Sequence, residues 1–289
     1  MTDRPPVDVV IPFGGRALGP VAARAGALAR REGDTVTVVD NRGSGDGREP
    51  HVLVAAEVPS SYFARNAGAR AGSAPWILFL DADIEPPADL LDRLLAPAPP
   101  ERVAVVAAEV EDEPPRPGDP PAVRYARLAG AMGQRGNLEH GFVATACCAV
   151  RRTAFEAVGG FREDVRSGGD ADLCLRLRAA GWELELRDGI VVRHRSRRAL
   201  VRMLAQRARH GSGAAWMDRE HPGSFPARPL PGVAWWAARR AAAGAVALVR
   251  GDRDAALVAL LDGPALLAFE LGRRVLPNRV ARRTAGQRR

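Results

Sequence analysis

Short apolar runs alternate with helix-like segments as far as residue 110, and this alternation constrains the fold most strongly. The apolar runs predict buried strands at Val7–Phe13, Thr35–Val39, His51–Val54, Trp76–Leu80 and Val103–Val110. The segments between them predict helices at Leu18–Arg31, Ser60–Ala71 and Pro86–Leu95. Strands that alternate with helices form a mostly parallel sheet. We therefore expect an α/β fold with a mostly parallel, Rossmann-like central sheet flanked by helices.

The second half of the chain predicts further short elements and then a helical extension. Phe142–Val150 predicts a strand, and two short runs predict a hairpin around Asp188-Gly189, namely Glu183–Leu186 and Ile190–Val192. Helices are expected at Arg152–Val158, Ala171–Ala180, Ala199–Trp216, Val233–Arg250 and Asp254–Leu276.

Net charge and composition exclude several classes of function. The formal net charge is +8, and every basic residue other than histidine is arginine. The absence of lysine excludes Schiff-base chemistry on lysine and a Walker-type phosphate loop. A positive charge can favour nucleic acid, but aromatic residues make up only 5% of the chain and no nucleic-acid-binding motif is present. We expect no nucleic-acid partner.

Cysteine usage and hydropathy predict a cytoplasmic protein. Cys147, Cys148 and Cys174 show no metal-binding spacing, which fits a reducing compartment. The first residues lack the pattern of a secretory signal. The longest apolar candidate, Ala241–Val249, is shorter than the run of about 18 residues that a membrane-spanning helix needs.

Acidic residues follow two of the predicted strands. In a parallel sheet, Asp40 and Asp81 would lie at the carboxyl edge, where ligands bind in open α/β folds. Asp81 and Asp83 are two residues apart, so their carboxylates can share a hard divalent cation such as Mg²⁺. The alternative is a solvated loop after the strand.

Five segments in order carry a resemblance to a known family. They are Val9-Val10-Ile11-Pro12; Val38-Val39-Asp40-Asn41 with Ser44 and Asp46-Gly47; Ala64-Arg65-Asn66-Ala67-Gly68; Phe79-Leu80-Asp81-Ala82-Asp83; and Gly159-Gly160-Phe161 with Gly169-Asp170-Ala171-Asp172-Leu173, Arg176 and Gly181-Trp182. Together they resemble the family-2 glycosyltransferases, which have a GT-A type nucleotide-sugar fold.

The resemblance implies a set of site residues. Those implied to bind the nucleotide-sugar donor are Pro12, Asp40, Arg65, Asn66, Asp81 and Asp83. Those implied to hold a divalent cation, Mn²⁺ or Mg²⁺, are Asp83, Asp81 and His194. Asp170 matches the general base. Gly68 matches a site of close packing between a helix and the sheet.

Each of these roles has a structural alternative. Asp40 can form a turn, Arg65 and Asn66 can lie on an exposed helix face, and His194 can be a bystander among arginines. Asp170 can belong to an acidic helix start, because carboxylates favour the first turn. The family typically has glutamate where this chain has Gly169, which leaves Asp172 as a second candidate for the base.

The resemblance also implies an activity and a division of the chain. It implies an inverting, metal-assisted, hexosyltransferase-type enzyme that moves a sugar from a nucleotide diphosphate sugar, with UDP favoured, to an unknown acceptor hydroxyl. Such enzymes act in bacterial cell-envelope or natural-product glycosylation. The alternatives are a catalytically degenerate scaffold or nucleotide-binding protein and a sugar nucleotidyltransferase. The division is a GT-A type domain over residues 1–196 (nucleotide half 1–112, acceptor half 122–196), a helical extension over 197–278 and a disordered basic tail over 279–289.

The helical extension combines tryptophans with arginines. Trp235-Trp236 precede Arg239-Arg240 in Val233–Arg250, a mixture that can lie in an anionic membrane interface. The alternative is a pair of helices packed within the protein. Peripheral contact would place the protein at the inner face of the membrane.

Overall fold

The computed structural model describes residues 4–15, 18–43, 51–130 and 132–284. Contacts divide the chain into two units. The first unit comprises residues 1–111, 133–194 and 279–289, and the second comprises residues 112–132 and 195–278. The division of the first unit into nucleotide and acceptor halves stays a prediction. The motif residues Ser44 and Asp46-Gly47 lie outside the described residues.

Eight strands form one sheet in the described part of the first unit. They are β1 Val7–Phe13, β2 Thr35–Asp40, β3 Val52–Val54, β4 Trp76–Leu80, β5 Ile84–Glu85, β6 Val103–Asp112, β7 Cys147–Arg151 and β8 Glu183–His194. The helices of the described chain are α1 Gly19–Gly26, α2 Ser61–Arg70, α3 Leu90–Leu95, α4 Pro121–Ala129, α5 Gln134–Glu139, α6 Arg152–Ala157, α7 Gly169–Ala179, α8 Leu200–Glu220, α9 Leu230–Val249 and α10 Arg253–Val275.

The sheet confirms the α/β fold class, with a mixed arrangement of strands. Its order is β3-β2-β1-β4-β7-β6-β8-β5. The first four strands in this order pair in parallel. Strand β7 is antiparallel to both β4 and β6, and β5 is antiparallel to β8. The sheet is therefore mixed rather than mostly parallel, and its parallel part is the half built from the N-terminal strands.

The predicted hairpin is wrong, because β8 runs without interruption from Glu183 to His194. Asp188-Gly189 lies inside the strand, where Gly189 adopts a φ of 74°. Glycine takes this backbone conformation without steric cost, so the Asp-Gly dipeptide, although typical of hairpin turns, can lie within a continuous strand. The end of β8 pairs with β5, which places Ile84 beside His194. Because β5 occupies Ile84–Glu85, α3 begins only at Leu90.

Helix α2 lies directly on the parallel strands. Its N-cap is Ser60, whose hydroxyl accepts a hydrogen bond from the backbone N–H of Tyr62. A Cβ atom on Gly68 would lie 2.4 Å from Val10 Cγ1 and 2.9 Å from Val39 Cγ2. Glycine therefore allows the close approach to β1 and β2 that the sequence predicts.

The second unit is helical, and close backbone contact joins two of its helices. A Cβ atom on Gly211 of α8 would lie 1.8 Å from the carbonyl oxygen of Phe269 in α10. A Cβ atom on Gly272 of α10 would lie 2.0 Å from the carbonyl oxygen of Ala208. These two glycines let α8 and α10 cross in contact.

One helix of this unit corrects the expectation that no segment is apolar enough to span a membrane. By length and composition alone, helix α10 is long and apolar enough to cross a membrane. An 18-residue window of it has a mean hydropathy of 1.6. Asp262 lies within α10 and accepts hydrogen bonds from Tyr125 (2.9 Å) and Arg240 (2.6 Å). On α9, the side chains of Trp235 and Trp236 are 62% and 37% exposed. Membrane contact and the cellular location stay predictions.

The C-terminal residues correct a second expectation. The sequence predicts disorder for residues 279–284, but they make backbone hydrogen bonds to other residues of the first unit. The amide of Val280 donates to the carbonyl of Asp164 (2.7 Å), and the amide of Arg283 donates to that of Glu57 (2.7 Å). The backbone amides find partners in another part of the chain, which composition cannot reveal. Residues 285–289 lie outside the described residues.

Candidate active site

The loop after β4 holds the first pair of candidate carboxylates in a fixed turn. The amide of Asp81 donates to the carbonyl of Ala146 (2.8 Å), and the amide of Ile84 donates back to the carbonyl of Asp81 (3.0 Å). The guanidinium of Arg24, on α1, donates to the carbonyl of Ala82. These bonds keep the carboxylates of Asp81 and Asp83 at the end of a fully buried strand.

The pairing of β5 with β8 brings His194 to the same loop. Its Nε2 lies 3.5 Å from Oδ2 of Asp83. The side chain of Asp83 is 49% exposed, whereas that of His194 is 14% exposed. Two carboxylates and an imidazole are ligands that Mn²⁺ accepts. Among the described residues, no three or more such groups are arranged as a metal site. The fit to a cation therefore rests on the chemical type of these three side chains and not on their geometry.

Arg65 lies buried beside Asp81. Its side chain is 5% exposed, and its Nη2 donates to Oδ1 of Asp81. Burial opposes the charge of Arg65, but the Asp81 carboxylate keeps its pKa above the usual value. Burial raises the pKa of Asp81 and nearby Asp83 raises it further, against the opposing effect of Arg65. Nε of Arg65 has no hydrogen-bond partner among the residues described.

Asp170 lies in the first turn of α7 and interacts electrostatically with Arg65. Its Oδ1 accepts hydrogen bonds from the amide of Ala171 (3.1 Å) and the hydroxyl of Tyr62 (3.4 Å). Burial raises the pKa of Asp170 above that of an ordinary aspartate, although the positive charge of Arg65 opposes this. A carboxylate with a raised pKa is suited to accept a proton near neutral pH.

The ring of Tyr62 explains the glycine at position 169. A Cβ atom on Gly169 would lie 2.8–2.9 Å from three atoms of that ring. The ring itself packs on Phe161, with the centroids 5.5 Å apart, and the guanidinium carbon of Arg65 lies 5.6 Å from its centroid. The space beside Asp170 that a glutamate would need is thus filled by an aromatic side chain.

Gly169→Ala is expected to lower the free energy of unfolding by about 1–3 kcal/mol, because the added methyl forces the Tyr62 ring out of its packed position. Chemical denaturation would measure the change. The matched control is Gly136→Ala, since a Cβ atom there meets nothing within 4 Å. A Gly169→Ala protein as stable as the control would show that the ring moves without cost.

Asp172, the second candidate for the base, is held in an internal ion pair. It is completely buried, and its Oδ2 accepts hydrogen bonds from Nε (2.9 Å) and Nη2 (2.8 Å) of Arg176. The same arginine donates to the carbonyls of Val158 and Gly160. Asp172 therefore joins α7 to the glycine turn after α6, and a proton acceptor in contact with substrate is better sought in Asp170.

At the end of β2, Asp40 forms a turn. It is completely buried, and its Oδ1 accepts hydrogen bonds from the amides of Arg42 (2.9 Å) and Gly43 (3.2 Å). This is the turn-forming alternative that the sequence left open. Pro12 lies opposite Val39 in the adjacent strand, so both predicted donor residues lie where β1 and β2 end. Nucleoside binding by this pair stays a prediction.

Asn66 holds a neighbouring loop. Its Nδ2 donates to the carbonyl of Phe161 (2.8 Å) and to Glu163 (3.0 Å), and its Oδ1 accepts from the amide of Phe161 (3.0 Å). Both ends of the amide are therefore used within the protein, and we leave Asn66 out of the donor site proposed below.

The arginines around His194 and the cysteines also have internal roles. Within the first unit, Arg193 pairs with Glu111 at 2.5 Å.

The cysteines are buried free thiols, and burial raises the pKa of Cys147 and Cys174 to about 12, as expected of packing residues.

Sequence reasoning missed Tyr62 and Arg24 as parts of this site. Tyr62, Arg65 and Asn66 are spaced i, i+3 and i+4, which places them on one face of α2. That spacing could have indicated Tyr62 once Arg65 was a candidate. Arg24 reaches Ala82 across 58 residues, and no local pattern indicates such a contact.

Two family models match this chain. Residues 62–159 match the model described as glycosyl transferase family 2, and residues 121–265, just over half of the chain, match that described as glycosyl transferase family group 2. The chain belongs to the family-2 glycosyltransferases. The two matches together include Arg65, Asp81, Asp83, Asp170 and His194.

Curated relatives include glycosyltransferases from bacteria and archaea. Pre-mycofactocin glycosyltransferase from Mycobacterium tuberculosis is 35% identical over 166 residues, which cover 55% of this chain and 35% of that protein. Glycosyltransferase AglE from Haloferax volcanii is 29% identical over 196 residues, which cover 63% of this chain and 64% of AglE. The chain thus spans about a third of the length of the first relative and less than two thirds of the second.

Solved structures share the fold of this chain. The mannosyltransferase PcManGT from Pyrobaculum calidifontis, in complex with GDP-Man and Mn²⁺, superposes with a TM-score of 0.62 at 19% identity and covers 94% of this chain and 88% of its own. GalNAc-T7 with UDP, GalNAc and Mn²⁺ has a TM-score of 0.52 at 14% identity, covering 68% and 44%. The fold is of the GT-A type.

Proposed function

We propose that this chain transfers a hexose from a nucleotide diphosphate sugar to an acceptor hydroxyl, with inversion at the anomeric carbon. The observation that carries the proposal is the convergence of two acidic sites on the buried Arg65. One site is the Asp81 and Asp83 loop with His194, and the other is Asp170 at the start of α7. A metal-supported leaving group and a proton acceptor are the two parts that such a transfer needs.

The donor side is proposed from Asp81, Asp83 and His194. These residues would hold Mn²⁺ or Mg²⁺, and the cation would neutralise charge on the diphosphate as it leaves. The names of the structural neighbours support this, since one is a complex with GDP-Man and Mn²⁺ and another contains UDP and Mn²⁺. We favour UDP because Asp40 matches a family carboxylate that usually faces uracil, and GDP is the competing base.

The acceptor side is proposed from Asp170. Its carboxylate takes the proton of the acceptor hydroxyl as that oxygen forms a bond to the anomeric carbon and the bond to the diphosphate oxygen breaks. The hydroxyl of Tyr62 and the amide of Ala171 both bond to Oδ1, which fixes the orientation of the carboxylate. Direct attack from the face opposite the leaving group gives the inverted product.

Asp83→Ala is expected to weaken nucleoside diphosphate binding in the presence of Mn²⁺ by at least about tenfold, since it removes a charged ligand. Binding without metal should hardly change. Calorimetric titration of UDP and GDP, each with and without Mn²⁺, measures both effects. The matched control is Asp188→Ala, an aspartate side chain that is 91% exposed. Equal metal dependence in the Asp83→Ala and unmodified proteins would exclude the proposed cation site.

The second candidate function is that of a nucleotide-binding protein without transfer activity. Gly169 favours it, because the resemblance implies a glutamate at that position. The two candidates differ in one measurement, the release of nucleoside diphosphate from sugar nucleotides in the presence of an acceptor mixture. Metal-dependent binding without any release would support the second candidate.

A further inference from the structure

Residues Arg279–Thr284, here named the C-terminal strap, belong to the first unit and contact other parts of it at two places. At the first place, Arg279 forms an antiparallel bridge with Val165 and an ion pair with Asp164. The amide of Val280 donates to the carbonyl of Asp164 (2.7 Å). Asp164 and Val165 belong to the segment that leads into α7, the helix that carries Asp170. This end of the strap therefore supports the approach to the proposed base.

At the second place, Arg283 contacts the loops that follow two parallel strands. Its backbone amide donates to the carbonyl of Glu57 (2.7 Å). Its Nη1 donates to the carbonyls of Asn41 (2.8 Å) and Ala56 (2.9 Å). Asn41 directly follows Asp40 at the end of β2, and Ala56 lies two residues after the end of β3. One guanidinium nitrogen thus joins the two strand ends.

Asn41 is itself a centre of hydrogen bonds. Its amide donates to the carbonyl of Phe13 (2.9 Å), and its Nδ2 donates to the carbonyls of Ala55 (2.7 Å) and Val58 (2.8 Å). Arg283 donates a further hydrogen bond, to the backbone carbonyl of Asn41. Hydrogen bonds from a charged donor are about twice as strong as neutral ones. The backbone on both sides of Asn41 is thereby fixed, including the peptide that joins it to Asp40.

We propose that Arg283 is a positioning residue for the nucleoside of the donor. It holds the carbonyls of Asn41 and Ala56 and so fixes Asp40 and the ends of β2 and β3, where the base of a nucleoside diphosphate would bind. This inference rests on the proposed function, because it assumes a nucleotide donor at that edge of the sheet. It assigns to a segment outside both family matches a part in forming the donor site.

The test compares two adjacent arginines in the full-length chain. Arg283→Ala should weaken UDP or GDP binding by about tenfold or more, whereas Arg282→Ala, at an exposed neighbour, should not change it. Both variants lose one positive charge from the same segment, so a general charge effect would weaken binding equally and would overturn the inference. Arg283→Lys retains a donor and should recover part of the affinity.

Kinetics separate positioning from a merely structural role. Arg283→Ala should raise KM for the donor about tenfold and leave kcat within about twofold, and it should lower the melting temperature more than Arg282→Ala, because it removes two charge-assisted hydrogen bonds. A fall in kcat and melting temperature without a change in nucleotide affinity would overturn the inference. If the unmodified protein binds neither nucleotide, the proposed function fails. If it binds one and Arg283→Ala binds equally well, only the role of Arg283 fails.

Discussion

Asp170→Asn should lower the rate of glycosyl transfer by about 10²–10⁴-fold while nucleoside diphosphate binding stays within about twofold. Asparagine has the same shape and keeps an oxygen that can accept the bonds from Tyr62 and Ala171. It cannot take the acceptor proton. The measurements are kcat from diphosphate release and the dissociation constant from calorimetry. A variant that keeps more than a third of the unmodified rate would exclude Asp170 as the base.

The pH dependence of the rate gives an independent check on Asp170. Burial raises the pKa of Asp170, so its carboxyl group loses its proton at a higher pH than an ordinary aspartate does. The rate should therefore fall with decreasing pH through this raised pKa, and the acidic limb should be absent from the residual rate of Asp170→Asn. Asp172→Asn is the control, since it breaks a buried ion pair and should lower the melting temperature while the acidic limb remains.

The sequence predicted the elements that local pattern determines. Strands β1 and β4 have the predicted bounds, because continuous apolar runs are typical of strands buried on both faces. The close packing at Gly68 was implied by the family resemblance, and the contacts of a Cβ atom built there confirm it. Asp40 and Asp81 became candidates because they directly follow predicted strands, whereas Asp170 was indicated by the family resemblance.

What the sequence did not predict depends on contacts between distant segments. Strand β8 is continuous and lies between β6 and β5 in the sheet, whatever the turn preference of Asp188-Gly189. Tyr62 and Asp170 meet across 108 residues, and Arg283 and Asn41 meet across 242. Residue type shows that an arginine can bond to a carbonyl, but only the fold determines which carbonyl is within reach.

Asp8 has a structural role that the apolar pattern of its strand did not predict. It is the second residue of β1, in the run Val7–Phe13, and is 2% exposed. Its Oδ2 accepts hydrogen bonds from the amide of Ala74 and from Arg152 of α6, both at 2.7 Å. Its Oδ1 accepts one from the hydroxyl of Thr35 (2.6 Å). One buried carboxylate thus links β1 to the start of β2, the loop before β4 and α6.

Asp8→Ala is expected to lower the free energy of unfolding by about 3–5 kcal/mol, because it leaves the largely buried Arg152 with only its longer pair to the exposed Glu156 (3.4 Å) and leaves the amide of Ala74 without its acceptor. A domain of this kind is stable by about 5–15 kcal/mol, so the loss should be a large fraction of the total. Urea denaturation measures it. The control is again Asp188→Ala, whose exposed pair with Arg135 contributes less than about 1 kcal/mol.

A double substitution tests whether the ion pair itself is the cause. Once Asp8 is alanine, changing Arg152 to methionine removes the charge that has lost its buried partner, so the double variant should lose less stability than the two single losses added together. Purely additive losses would show that the two residues stabilise the fold independently. Because β1 lies beside both β2 and β4, a displaced β1 would also move the strand ends that carry Asp40 and Asp81. The buried charge in β1 is therefore expected to maintain the donor site through the sheet, although it lies several residues from the edge where the donor would bind.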